Sequence, residues 1–218
     1  VSYAAALVAI TLLVWLLWPT APDFSKYDAG DERKQAFVSY FVPLINAANA
    51  DIIKDRKTAL ELQSKPAYLG FFERRSLHSL AENYALQEFD EGNPEHWNEL
   101  LKRINTVPAS LALAQAANES AWGTSRFAQE GDNYFGQWCF KPGCGLVPEK
   151  RAAGKTHEVA AFSSPADSVK AYIDNLNRNS AYESLRSIRA QRVEKTGSAS
   201  GIELAGGLVR EIGEFLDQ

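Results

Sequence analysis

The sequence predicts a mostly helical α+β fold with one small β-hairpin region, preceded by an N-terminal transmembrane helix. Three observations support this fold class. An apolar run without charge opens the chain, apolar residues recur at helical spacing from residue 31 onward, and glycine, proline and both cysteines gather between residues 133 and 162. With 218 residues, 45% of them hydrophobic, the chain can form one domain with a substantial core plus an appendage. The net charge of −4 argues against a nucleic-acid partner, because such a partner requires a basic surface.

The first 22 residues carry no charge, and a helix of about 20 apolar residues is long enough to cross a bilayer. Trp15 and Trp18 stand near its end, where indole rings collect at a membrane interface. One alternative is a cleaved signal peptide, but neither a basic leader nor an Ala-x-Ala site is present. The other is a buried core helix, which the aromatic end of the run and the prolines that follow it disfavour. We therefore expect residues 1–22 to form a membrane anchor, residues 23–30 a linker, and residues 31–218 the domain.

The domain begins with a long amphipathic pattern, which Pro43 is expected to kink. Its apolar stripe comprises Phe37, Tyr40, Phe41, Leu44, Ile45 and Ala48. Ser164 followed by Pro165 predicts a later helix start, and Ser200 with Glu203 fits a capping box for the last helix. Other helices are predicted at about residues 69–86, 94–104, 108–123 and 124–129 and from residue 182.

The least polar of these helices, at residues 108–123, carries a carboxylic acid in its last turn. Pro108 suits the first turn, Gly123 is expected to end the helix, and Glu119 lies just before that end. Burial and the negative end of the helix dipole would both raise the pKa of such a group, which could then serve as a general acid. A lone glutamate is more often structural, so the case depends on what surrounds it.

Two short motifs at and after this position resemble the signature of glycoside hydrolase family 73, the glucosaminidase family. They are Asn-Glu-Ser-Ala-Trp-Gly at residues 118–123 and Asn-Tyr-Phe-Gly at residues 133–136. The resemblance extends over roughly residues 31–192, including Tyr172 and the Asn179–Tyr182 stretch, with Bax-like proteins as the nearest group. It implies a lysozyme-like fold, the glycan strand of peptidoglycan as substrate, and Glu119 as the catalytic acid.

The resemblance also implies a second acidic residue on the hairpin, where two candidates are available. Glu158 lies in a strand-like run and Glu149 at a turn, and we expect Glu158 to be the better candidate. Tyr182 matches the tyrosine that lines the family's cleft, although it could instead pack on the core. The other predicted substrate-binding residues are Trp122 and Tyr134, which could stack on sugar rings or fill the core, and Asn133 and Gln137, which could bind N-acetyl groups.

Strand-like runs at residues 134–140 and 156–162 predict the hairpin, and Cys139 and Cys144 enclose a turn inside it. A disulfide is expected in an oxidising compartment, although a reduced pair remains possible in the cytosol. Neither these cysteines nor the three histidines of the chain have the spacing of a metal site, so we expect no metal and no organic cofactor. Together the anchor and the cysteine pair favour a single-pass protein of a bacterial inner membrane, with the domain periplasmic or extracellular.

We therefore predict a membrane-anchored peptidoglycan hydrolase of the endo-β-N-acetylglucosaminidase type. Its predicted partners are glycan strands and the membrane, and the sequence identifies no protein partner. Two alternatives remain open. One is a non-catalytic wall-binding module, and the other is a lytic transglycosylase on the same fold, which needs one acid and leaves a 1,6-anhydro product.

Overall fold

The computed structural model describes residues 21–65, 69–149, 151 and 154–216, with side chains up to residue 208. All but the last two residues of the predicted membrane anchor lie outside this range. Within it, the predicted mostly helical α+β fold with a small antiparallel sheet is confirmed.

The longest element is helix α1, Asp31–Gln63, which runs through Pro43 without a break. Its buried face is the predicted stripe, in which Phe37, Phe41 and Ile45 are fully buried. In the part of the chain that the structure describes, α1 is also the one helix long and apolar enough to cross a membrane by length and composition. Because its buried face packs against the helices that carry the site, we assign α1 to the domain.

Seven further helices follow α1 within the described residues. They are α2 (Phe71–Asn83), α3 (Pro94–Arg103), α4 (Ala109–Glu119), α5 (Arg126–Gly131), α6 (Pro165–Arg178), α7 (Glu183–Thr196) and α8 (Gly201–Leu216). The Ser164 side chain accepts a hydrogen bond from the Asp167 amide, which confirms the predicted start of α6. The predicted capping box of α8 is also present, since the Glu203 carboxylate accepts from the Ser200 amide and the Ser200 hydroxyl from the Glu203 amide.

Three short antiparallel strands form the sheet: β1 (Trp138–Cys139), β2 (Gly145–Leu146) and β3 (Glu158–Ala160), in the order β1-β3-β2. Cys139 pairs with Glu158, and Leu146 with Val159. The strands are shorter than the two predicted runs. The first run is interrupted because Gly136 has a φ of 63°, a left-handed conformation that extended strands do not adopt.

An aromatic cluster joins α1 to the site. The Phe37 and Phe41 rings stack at 4.4 Å, and the Tyr134 ring meets Phe41 edge-on at 4.6 Å. Phe24 is also fully buried here, in a short 3₁₀ turn at Phe24–Lys26, with its ring 5.2 Å from that of Phe37. Within residues 23–30, predicted as a linker, Phe24 is therefore a member of the domain core, whereas most of the other residues of the segment are exposed.

Candidate active site

Glu119 lies in the last turn of α4, as predicted, but the helix ends at Glu119 rather than at Gly123, and the Glu119 side chain is exposed rather than buried. The prediction of a buried acid is therefore wrong. Helix α4 buries Leu111, Ala112, Ala116 and Ala117, but the neighbouring elements leave Asn118 and Glu119 in its last turn uncovered.

The residues after Glu119 form a tight turn held by Ser120. The buried Ser120 hydroxyl donates to the Ala116 carbonyl at 2.6 Å and accepts from the Gly123 amide at 2.8 Å. Ala121, Trp122 and Gly123 all have positive φ values, of 50°, 60° and 79°. The helix thus ends four residues before Gly123. The turn that follows requires a left-handed backbone, which explains the serine and the glycine of the motif.

Trp122 faces the core of the domain. Its ring lies edge-on to Phe37 at 5.6 Å, and the Lys34 ammonium group stands 5.7 Å from the ring centroid. Of the two predicted roles, these contacts favour core packing beneath the turn over stacking on a sugar. The adjoining Gly123 is packed just as closely. A β-carbon at that position would lie 2.3 Å from Cδ2 of Phe24.

The Asn-Tyr-Phe-Gly motif is also built into the scaffold. Asn133 is 1% exposed, and its side chain amide donates to the Gln137 and Ala160 carbonyls while its oxygen accepts from the Phe135 and Gln137 amides. Tyr134 is 2% exposed within the aromatic cluster. The predicted substrate contacts of Asn133 and Tyr134 are therefore not supported, because both side chains are enclosed by the protein.

Gln137 is half-buried and likewise bonds within the chain. Its side-chain amide donates to the Ser168 carbonyl at 3.1 Å, which ties the segment before β1 to helix α6. The Gln137 side-chain amide, which the sequence predicts to bind an N-acetyl group, therefore makes a hydrogen bond within the protein instead.

The two motifs meet at the Glu119 carboxylate. A β-carbon at Gly136 would lie 3.4 Å from Oε2 of Glu119, so the absence of a side chain there leaves space beside the acid. Phe135, the preceding residue, stacks on Tyr172 of α6 with ring centroids 4.2 Å apart and planes 10° apart. Burial raises the pKa of Tyr172, and the charges of Tyr182 and Glu119 raise it further. Tyr172 thus lies within electrostatic reach of both Glu119 and Tyr182.

Of these three residues, the sequence predicted roles for Glu119 and Tyr182 but not for Tyr172. Tyr172 lies on the buried face of α6 with Val169, Ile173 and Leu176, and helical spacing alone marks it as a core residue. Tyr182 is half-buried at the end of the 3₁₀ turn Ser180–Tyr182 and packs against the core.

Glu158, the preferred second acid, is committed to the loop between β1 and β2. Its two oxygens accept from the Gly143 amide at 3.0 Å and the Gly145 amide at 2.9 Å. These bonds hold the pKa of the carboxyl below its usual value, and the nearby Arg151 adds to the effect. A carboxylate held in this way is a weak proton acceptor, so the predicted catalytic role of Glu158 is not supported.

The predicted disulfide joins Cys139, at the end of β1, to Cys144 in the same loop. The two sulfur atoms and a Glu158 oxygen lie within 4.8 Å of one another, a cluster that could otherwise hold a metal ion. Because the sulfurs are bonded to each other, neither is available as a thiolate ligand. Glu149 lies farther along the loop to β3, where its side chain is exposed.

An exposed aromatic ring lies two residues after Gly136. Trp138 is 51% exposed, and one face of its indole stacks on the His157 ring at 4.2 Å with planes 7° apart. The stack fixes the orientation of the indole while leaving the residue half open to solvent. Trp138 is not among the site residues predicted from the sequence, because nothing in its local pattern shows whether it is exposed.

Comparisons with known proteins identify the family of the chain. The glucosaminidase family model, described as mannosyl-glycoprotein endo-β-N-acetylglucosaminidase, matches residues 94–206, which is more than half of the chain and includes Glu119, Tyr172 and Tyr182. The chain belongs to the glucosaminidase family. It is also 37% identical over 170 residues to "Protein bax" of Escherichia coli K12, an alignment that covers 78% of this chain and 60% of that protein. No solved structure matches the chain.

Proposed function

We propose that this glucosaminidase-family chain hydrolyses β-1,4 glycosidic bonds in the glycan strand of peptidoglycan, with Glu119 as the general acid. The observation that carries the proposal is the position of Glu119. Its carboxylate is open to solvent at the end of a buried helix, beside the space left by Gly136. A polymeric substrate can therefore reach the acid from outside the protein.

In this reaction Glu119 donates a proton to the glycosidic oxygen as its bond to the anomeric carbon breaks. A water molecule then adds to that carbon and must lose a proton to a base. Because Glu158 is held by two backbone amides, we propose the exposed Glu149 as this base. The choice reverses the order expected from the sequence. In the alternative, the N-acetyl oxygen of the substrate attacks the anomeric carbon as the glycosidic bond breaks, and the water that then displaces this oxygen gives its proton to the ionised Glu119.

We further propose that Trp138 is the aromatic platform for a sugar ring. Trp122 and Tyr134, to which this role was first assigned, pack against Phe37 and Phe41 in the core. Trp138 is half exposed, fixed by His157, and close in sequence to Gly136 beside the acid. A flat, oriented indole suits the apolar face of a pyranose.

The location of the domain is part of the proposal. A disulfide persists in oxidising compartments, and peptidoglycan lies outside the cytoplasm. We therefore propose a periplasmic or extracellular domain, anchored through the apolar residues 1–22.

The test is digestion of purified peptidoglycan by the wild-type chain and by Glu119→Gln, with soluble fragments quantified by chromatography. We expect a loss of roughly 100-fold or more in Glu119→Gln, the scale for removing a general acid. The matched control is Glu130→Gln, which changes an exposed glutamate of α5 whose partner is the surface residue Arg126. It should retain wild-type activity.

The same assay separates the alternatives. A large loss in Glu149→Gln with a small loss in Glu158→Gln would support the proposed order of the two acids. If the wild type and Glu119→Gln both bind the wall and release nothing, the hydrolase proposal fails and the chain is a wall-binding module.

A further inference from the structure

We infer that Tyr172 is a positioning residue for Glu119, with a ring that supports the segment beside the acid and a hydroxyl that donates a hydrogen bond to its carboxylate. This inference rests on the proposed function of Glu119. It adds a residue that neither motif contains.

The first line of support is a continuous series of contacts. The Tyr172 ring stacks almost parallel on Phe135 at 4.2 Å, and Phe135 immediately precedes Gly136. Gly136 in turn lies beside Glu119, with its missing β-carbon 3.4 Å from Oε2. Helix α6 is thereby connected to the carboxylate through two residues of the second motif.

The second line of support is the Tyr172 hydroxyl. The side chain is 7% exposed, and its oxygen is buried without a hydrogen-bond partner among the described residues. Nearly all buried polar groups in proteins are hydrogen-bonded, so an exception requires an explanation. The ionisable groups that act electrostatically on this hydroxyl are Tyr182 from the 3₁₀ turn and Glu119 from α4.

Of those two groups, Glu119 is the flexible acceptor. Its side chain is exposed and has three rotatable bonds, so it can turn inward and accept a hydrogen bond from Tyr172. Burial keeps the phenol protonated and therefore able to donate. A donor bonded to a carboxylate favours its ionised form, which is the form that Glu119 takes after giving its proton to the glycosidic oxygen.

The experiment compares Tyr172→Phe with the wild type, using the full chain. Phenylalanine keeps the ring stack and removes only the hydroxyl. We expect kcat to fall about tenfold with little change in KM, and the alkaline limb of the kcat profile to move to higher pH. The control is Tyr84→Phe, which also removes a buried phenol hydroxyl, in this case one bonded to Asp55. Tyr84→Phe should change neither kcat nor the position of the alkaline limb.

A second readout does not depend on turnover. The carboxyl carbon of Glu119, assigned by its absence in Glu119→Gln, is followed by carbon NMR as the pH is changed. Its signal should change at a higher pH in Tyr172→Phe than in the wild type or Tyr84→Phe. Identical titration curves would overturn the inference. If they differ while Glu119→Gln digests the wall normally, the contact exists but the proposed function fails.

Discussion

Gly123 allows a quantitative test of how the turn after the acid is built. Its φ of 79° is left-handed, and a β-carbon there would lie 2.3 Å from Cδ2 and 2.9 Å from Cγ of Phe24. Gly123→Ala therefore has two costs, a strained backbone and a steric overlap with a fully buried ring. Gly197 has a φ of 78° with no atom within 4 Å of its β-carbon position, so Gly197→Ala has only the first cost.

The backbone cost is about 1–2 kcal/mol for a residue with a β-carbon, offset by about 0.4–1 kcal/mol because alanine restricts the unfolded chain. Overpacking adds about 1–3 kcal/mol. We expect Gly197→Ala to lower the free energy of unfolding by about 1 kcal/mol and Gly123→Ala to lower it by about 2–4 kcal/mol. Equilibrium urea unfolding, followed by tryptophan fluorescence, measures both values.

The cause of the difference is tested by removing the ring. In a Phe24→Ala background the steric overlap is gone, so Gly123→Ala should lower the free energy of unfolding by no more than Gly197→Ala does. The effects of Phe24→Ala and Gly123→Ala on the free energy of unfolding should therefore be strongly non-additive. Equal losses for Gly123→Ala and Gly197→Ala, or additive losses for the pair, would refute the packing of this turn on Phe24.

Three further predictions concern the sheet region. Replacing Cys139 and Cys144 by serine should lower the free energy of unfolding by about 2 kcal/mol, the entropic value for so short a loop, and denaturant unfolding with an unchanged midpoint would contradict this. The two amide hydrogen bonds hold the pKa of Glu158 below its usual value in the folded protein. The ionised carboxylate should therefore stabilise the fold above about pH 4.3, and this stabilisation should be lost as the pH falls through the pKa of the folded state. Glu158→Gln should therefore be less stable than the wild type at pH 7 by a margin that narrows toward pH 3 in urea titrations, whereas a constant margin would argue against the two amide bonds. Trp138→Ala should bind soluble glycan fragments about tenfold more weakly by calorimetry, equivalent to about 1.4 kcal/mol, with Phe140→Ala as an exposed aromatic control, and equal affinities would exclude the platform.

The helices could be predicted from the sequence because their signals are local. The stripe on α1, the Ser164 cap and the Ser200–Glu203 capping box each depend on residues within a few positions of one another. The same local signals placed Glu119 in the last turn of α4, although Gly123 predicted an end four residues too late.

The exposure of Glu119 could not be predicted, because it depends on where the neighbouring elements leave the end of α4 uncovered. The predicted roles of two polar residues are not supported by the structure, for a related reason. Asn133 and Glu158 are polar residues in a glycine-rich region, a pattern that fits a binding site as well as a scaffold. Asn133 is occupied by the Ala160 carbonyl and Glu158 by the Gly143 amide, partners that only the folded chain brings close.

For Tyr172, the sequence predicts the burial of the residue but not its place beside the acid. Its position on the buried face of α6 marks it as a core residue, which it is. Only the tertiary structure shows that its hydroxyl has no hydrogen-bond partner among the described residues and that it lies within electrostatic reach of Glu119 and Tyr182.

The central claim is that this chain cleaves the glycan by hydrolysis beside N-acetylglucosamine. The most direct measurement is mass spectrometry of the fragments that the wild-type chain releases from peptidoglycan, after borohydride reduction of their ends. We predict reduced N-acetylglucosamine at the new ends, and a yield of these fragments that is roughly 100-fold or more lower in a digest with Glu119→Gln. Ends carrying 1,6-anhydro-N-acetylmuramic acid, which resist reduction, would contradict the account and identify a lytic transglycosylase instead.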